Sequence, residues 1–484
     1  MQLSKITDET RLALATLAEH TTGLVAPSLR LGVTGLARAG KTVFISALVH
    51  NLIHGGRLPL FKAYSSGRVS GAGLQPQPDA AVPRFDYERH VRALVEDRVW
   101  PESTSRISEL RLTIKYESAS FIGRNLGRGR LHLDIVDYPG EWLLDLPLLS
   151  RDYATWSREA IATAEAPARA RLSANWLSRA ANVDAAAPEN ESAARELAGL
   201  FTDYLLACKS HGSGLSMVPP GRFLMPGDLA GSPALTFAPL VLDGSPPSGS
   251  LGAMMARRYE AYKHAVVRPF FRDHFARLDR QIVLVDALEA LNAGPAAIAD
   301  LEASLSEILA AFRVGRAGWF TGLVTRRVDR ILFAATKADH LNHGDHDRLE
   351  AILSRLVARA IERAAFAGAK VEVLAMAAVR ATGEGTVTRS GEQLASIIGT
   401  PLPGEAVDGR VFDGMTEIAM FPGDLPENTD SVFGATGTAV ASSPLRFVRF
   451  RPPKLERTSE GFTLSLPHIR LDRALEFLVG DRLA

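Results

Sequence analysis

The chain has 484 residues, 46% of them hydrophobic, which fits two to three domains with sizeable cores. Its 55 Lys and Arg nearly cancel 54 Asp and Glu, leaving a net charge of +1, so no strong field selects nucleic acid or an acidic membrane as partner. One cysteine, Cys208, excludes an internal disulfide and a cysteine-based metal cluster, and reads as an intracellular chain.

The opening MQLSKITDETRLALATLAEH carries charges every few positions and predicts an amphipathic helix rather than a signal peptide. No apolar run approaches the roughly 20 residues that span a bilayer, so the reading is a soluble chain, peripheral at most. LRLGVTGLARAGKTVFISAL then predicts strand, loop and helix around Gly35-x-x-x-x-Gly40-Lys41-Thr42, the P-loop pattern. Backbone N–H groups from Gly35 through Ala37, Arg38, Ala39, Gly40 and on to Val43 are expected to face phosphate at a helix N-terminus. Lys41 is expected to reach the β and γ phosphates, and the Thr42 hydroxyl to ligate Mg²⁺.

SSGRVSGAGLQPQPDAAVP reads as loop and RFDYERHVRALVEDRVW as helix. SELRLTIKYES alternates like a half-buried strand, and LHLDIVDYPGEW reads as a second strand ending in a turn; the two predict a hairpin. At the end of that second strand Asp137 is expected to bind the metal through water, and the Gly140 N–H is expected to meet the γ-phosphate. From 145 to 280 the chain turns Ala-rich and helical, interrupted by the Pro/Gly-rich VPPGRFLMPGDLAGSPALTFAPL, and reads as a mostly helical insertion.

Short apolar runs return at QIVLVDAL, RILFAATK and KVEVLAMAA with helical stretches between them, the pattern of buried parallel strands. The predicted architecture is a three-layer α/β domain in two parts, 25–144 and 281–400, split by the insertion 145–280. A strand-rich extension, 401–484, packs on that domain and closes with the helix LDRALEFLVGDRL. In ILFAATKADH, Thr336-Lys337-x-Asp339 resembles the guanine-recognition motif usually written Asn-Lys-x-Asp, with threonine in place of the asparagine: the carboxylate would accept two guanine N–H groups and the lysine stem would cover the ring. LAMAAVRAT follows, where Ala377 and Ala378 are placed to offer backbone N–H groups to the base. His340, His343 and His346 read as solvated histidines at a helix start rather than as metal ligands.

The strings GLARAGKT, VWPESTSRISELRL, DIVDYPGEWLLDLPLLS, FFRDHFARLDRQIVLVDALEALN, TKADH and PHIRLDRALEFLVGDRL resemble the YcjX-like family of P-loop GTPases from about Arg30 to the C-terminus. The resemblance implies a P-loop GTPase fold with a helical insertion, GTP and GDP as ligands, Mg²⁺-dependent hydrolysis, and a cytoplasmic, stress-associated protein. That protein would be peripheral at the inner membrane at most, with a membrane-protein partner and no nucleic acid. Glu141 stands where small GTPases place a water-orienting glutamine; it reads as a switch residue, with a catalytic role as the weaker alternative because phosphate would repel it.

Arg38 occupies the loop position that guanylate-binding proteins use for an internal arginine finger, and a solvated arginine is the competing reading. The Mg²⁺-binding threonine of the first switch is placed at Thr104, ahead of Ser103, Ser105 and Thr113. A nucleotide-dependent dimer, a nucleotide-holding scaffold of negligible turnover, an ATPase and a membrane remodeller all stay open at this point.

Overall fold

The computed structural model describes residues 26–35, 38–102, 106–119, 129–209, 219–311, 328–389, 392–407, 409–433, 445–455 and 465–484. The expected N-terminal helix lies outside them. Seven strands form one mixed sheet in the order β2-β3-β4-β1-β5-β6-β7. They are β1 (Ser28–Gly35), β2 (Val69–Gln75), β3 (Ser108–Tyr116), β4 (Gly129–Asp137), β5 (Arg280–Val285), β6 (Arg330–Ala335) and β7 (Lys370–Ala375). β1 runs parallel to β4 and β5, and β5, β6 and β7 continue parallel, while β3 is antiparallel to both β4 and β2. The sheet is therefore mostly parallel, and the predicted β3–β4 hairpin is present.

Period-two alternation decides which face each side chain covers. Leu131, Leu133 and Ile135 of β4, with Ile282 and Leu284 of β5, pack against α1 (Lys41–His54) and the C-terminal helix. Val283 and Val285 point the other way, toward the helices that follow β5 and β6. Helices thus cover both faces, as α/β sheets require. α1 is buried on nearly every side, including Lys41, Ser46, His50 and Asn51. It ends at Gly55, whose φ of 74° only glycine adopts without strain.

Between β4 and β5 the chain is helical: α2 (Tyr153–Ala164), α3 (Pro167–Ala181), α4 (Glu191–Lys209) and α5 (Leu251–Tyr262). Their core is aromatic. Trp156 stacks on Tyr259 at 5.0 Å, and Trp176 on Tyr204 at 5.4 Å. After β5 come α6 (Ala287–Ala293) and α7 (Pro295–Ala311), and after β6 come α8 (His346–Leu356) and α9 (Ala358–Phe366).

A small antiparallel sheet of β8 (Gly383–Arg389), β9 (Glu392–Gly399) and β12 (Ile418–Met420) follows, with a two-stranded ladder of β10 (Ala406–Val407) and β11 (Arg410–Val411) between. It begins ahead of residue 401. α10 (Leu471–Val479) closes the chain on the face shared with α1. It is anchored by the fully buried Arg280, whose guanidinium donates to the Leu478 carbonyl at 2.8 Å and pairs with Asp329 and Asp481.

One expectation fails. The stretch read as loop contains edge strand β2, paired with β3 from Val69 to Gln75 with a register shift at Gly71. Glycines at 71 and 73 remove two side chains from the alternation, so the local pattern carries no strand signal although cross-strand pairing supplies one.

Candidate functional site

Gly35 ends β1 where a Cβ would lie 2.7 Å from the Leu284 carbonyl, so strand and loop meet closely only with glycine there. Arg38 and Gly40 both take left-handed backbone, φ 64° and 83°, and the chain enters α1 directly after. That turn points the first amides of α1 into the loop. The Lys41 ammonium folds back to donate to the Gly35 carbonyl at 3.1 Å, and the Thr42 hydroxyl lies 3.4 Å from the Glu102 carbonyl. The Arg38 guanidinium sits 3.9 Å from Glu289 of α6, with both side chains well exposed. Ala37 and Thr104, like Ser103 and Ser105, lie outside the described residues.

A cavity of about 390 Å³ runs from this loop to the far end of β6. Arg38, Ala39, Gly40, Lys41, Thr42 and Val43 line one end of it; Thr336, Lys337, Asp339, Ala377 and Ala378 line the other. These two groups are some 300 positions apart in the chain. Lys337 has φ 61° and pairs with Asp286, the N-cap of α6. Burial alone would lower its pKa, but Asp286 beside it holds the ammonium above its usual range. The Thr336 hydroxyl lies 3.4 Å from the Val285 carbonyl, tying the end of β6 to β5.

Asp339 is buried and accepts from the Ala381 amide at 2.8 Å. Ala377 lines the cavity, but its N–H donates to the Ile469 carbonyl at 3.1 Å while the Ile469 N–H returns to Ala377 at 2.8 Å. The amide expected to meet the base is therefore engaged in a backbone bridge. The histidines differ from the solvated reading. His343 is exposed, whereas His346 is buried and its Nε2 donates to the Ala338 carbonyl at 2.9 Å; burial lowers its pKa. His340 packs edge-on against Phe450. Among the described residues no group of three His, Cys, Asp or Glu could hold a metal ion.

Asp137 is buried at the end of β4, in register with Val33 of β1 and so beside the start of the phosphate loop. A strand-end carboxylate and the Thr42 hydroxyl are hard oxygen donors of the kind Mg²⁺ takes together with water and phosphate oxygens. Gly140 is buried and opens a 3₁₀ segment, Gly140–Ser150. Glu141 does not line the cavity. Its buried carboxylate pairs at 2.9 Å with Lys209, the last residue of α4.

Residues 29–483 match the profile of the YcjX-like family. The chain belongs to the YcjX-like family. A relative from Escherichia coli (strain K12), named Ras-like GTPase YcjX, is 38% identical over 469 residues, covering 94% of this chain and 96% of the relative. A second of the same name, from Shewanella oneidensis, is 34% identical over 507 residues, covering 100% of this chain and 99% of the relative. Among the described residues of this YcjX-like chain, no helix is long and apolar enough to cross a membrane.

Sequence reasoning overlooked four contributors to this YcjX-like site. Asp286 had a signal, an aspartate between the apolar run QIVLV and a helical stretch, which is the pattern of an N-cap. Trp100, Arg449 and Phe450 line the cavity as well, and nothing local marks them.

The segment after Asp137 is fastened to the helical region by several buried contacts. Asp145 accepts from the Gly221 amide at 2.7 Å and from the Tyr262 hydroxyl at 2.6 Å, and Arg222 lies 3.2 Å over the Trp142 ring. Gly221 passes so near that a Cβ would stand 1.7 Å from the Glu141 carbonyl. Burial pushes the Asp145 carboxyl from 3.8 up to about 6, against the two hydrogen bonds that hold it down. Its folded pKa is raised, so its contribution to stability is complete below 3.8 and is lost as pH rises through about 6. The melting temperature of wild type relative to Asp145→Asn should therefore fall between pH 4 and pH 6.5 and level off above. A flat difference across that window would show that the carboxyl titrates normally.

Proposed function

We propose that this protein binds guanine nucleotides and hydrolyses GTP with Mg²⁺. The reading is carried by one cavity lined at one end by Lys41 and Thr42 and at the other by Lys337 and Asp339, which supports phosphates at the first end and a base at the second. The names of the relatives support the same chemistry. Gly35, Ala37, Ala39, Gly40 and Val43 would wrap the phosphates, Thr42, Asp137 and Thr104 would hold Mg²⁺, and the Gly140 amide would meet the γ-phosphate. Bound there, the ion neutralises charge on the phosphates. The base would be read by Asp339 and covered by Lys337, with Ala378 supplying the amide that Ala377 gives to Ile469.

The domain division at 145, 281 and 401 belongs to this proposal, with the helical region as the part that responds to nucleotide state. A stress-linked role, a membrane-protein partner and a nucleotide-dependent dimer rest on the family resemblance.

Asp339→Asn is the test. An amide places a donor against the guanine N–H groups and suits xanthine instead, so GTP affinity should drop and XTP affinity rise until the order of preference reverses. Competition of both nucleotides against labelled GDP reads this directly, and a retained preference for GTP would remove Asp339 from base recognition. A second reading, slow turnover, is favoured by one observation: Glu141, at the water-orienting position, is held by Lys209 instead. Single-turnover hydrolysis separates the two.

A further inference from the structure

The cavity has a wall that neither the phosphate loop nor the base motif explains. Trp100 forms part of it, and Leu402, Arg449 and Phe450 of the C-terminal extension form the rest. These residues are tied together. The Trp100 indole N–H donates to the Phe450 carbonyl at 2.6 Å, and the Arg98 guanidinium donates to the Pro452 carbonyl at 3.1 Å. Phe450 is buried and its ring meets the His340 imidazole edge-on at 5.5 Å, next to Asp339. Gly399 makes room for it, since a Cβ there would be 2.8 Å from the Phe450 ring. Arg449 is clamped by Glu405, which accepts from its Nε at 2.6 Å and from its backbone amide at 3.0 Å. The Leu402 amide completes the attachment by donating to the Arg449 carbonyl at 2.7 Å.

This wall has the chemistry of a nucleoside surface. It offers an indole, which can cover a purine or ribose face, and a guanidinium pre-oriented by its carboxylate partner. It lies among the base-end residues, and Leu402, Arg449 and Phe450 come from a part of the chain that carries no GTPase motif, while Trp100 precedes the first-switch segment. We propose that Trp100 and the Arg449–Phe450 segment clasp the nucleoside of a bound guanine nucleotide, so that the C-terminal extension sets how fast GDP leaves. The inference rests on the guanine-nucleotide reading above. Binding energy that the clasp adds appears in the dissociation rate, because the bound nucleotide must part from it to escape.

The experiment uses the full chain loaded with radiolabelled GDP and chased with unlabelled GDP. Trp100→Ala should speed release by about tenfold, the scale of one aromatic–base contact. Trp100→Phe, which keeps a ring and loses only the indole donor, should speed it less, about threefold. Arg449→Ala, at an exposed position, should also speed release. Pyrophosphate, which has no nucleoside, is the control: its competition against GDP on the P-loop should give the same pyrophosphate affinity in wild type and Trp100→Ala. Release within twofold of wild type in both Trp100 variants overturns the clasp. Equal weakening of pyrophosphate and GDP overturns it too, since the effect would then lie at the phosphates. A wild-type chain that binds no guanine nucleotide defeats instead the reading on which the clasp rests.

Discussion

Replacing Lys41 with alanine should lower affinity for GDP and GTP by roughly 10² to 10⁴, the loss of two charge-assisted hydrogen bonds to phosphate at about 1.5–3 kcal/mol each. The fold should survive. Within the protein the buried ammonium donates to the Gly35 carbonyl of the loop, and Lys41 is not among the apolar side chains that build the core around α1, so its removal leaves that core intact. Calorimetric titration with GDP and a melting curve of the ligand-free chain check both halves. Unchanged GDP affinity would show that the loop does not hold phosphate.

Arg38→Ala should leave GTP and GDP affinity within a few-fold of wild type and lower single-turnover hydrolysis by about 10² or more, because an arginine finger acts on charge that develops in the transition state. The ion pair between Arg38 and Glu289, 3.9 Å long and well exposed, contributes little, so breaking it to reach the γ-phosphate costs little. Arg38→Lys should rescue little, since an ammonium lacks the planar fork that spans two oxygens. An Arg38→Ala protein that binds GTP much more weakly yet hydrolyses bound GTP normally would make the arginine a ground-state phosphate contact.

What could be read from the chain alone follows the range of the forces involved. The strand–turn–helix from Gly35 to Thr42 and the strand ends that carry Asp137 and Thr336 are legible because each is a local geometry with its own residue requirements. Parallel strands β5, β6 and β7 were legible because burial on both faces leaves unbroken apolar runs. Edge strand β2 was not, since two of its glycines contribute nothing to alternation and its order comes from β3. The partner of Glu141 was equally invisible: Lys209 is a helix-terminal lysine like many others until the fold brings it to 2.9 Å. The amide of Ala377 illustrates the same limit, for only the returning chain at Ile469 decides where its hydrogen bond goes. Tertiary pairing, not propensity, settles such positions.

The central place of β1 between β4 and β5 bears on how the protein is made. β1 ends at Gly35 and β5 at Val285, with the aromatic-cored helical region synthesised between them. At 5–20 residues per second on a ribosome, β5 emerges on the order of ten to fifty seconds after β1. During that interval the nascent strand β1 can pair with β4 on one edge while its other edge stays open to wrong pairing. The helical region, meanwhile, has its own aromatic core and can condense first, which turns a long insertion into a short loop and brings the two halves of the sheet within reach of each other.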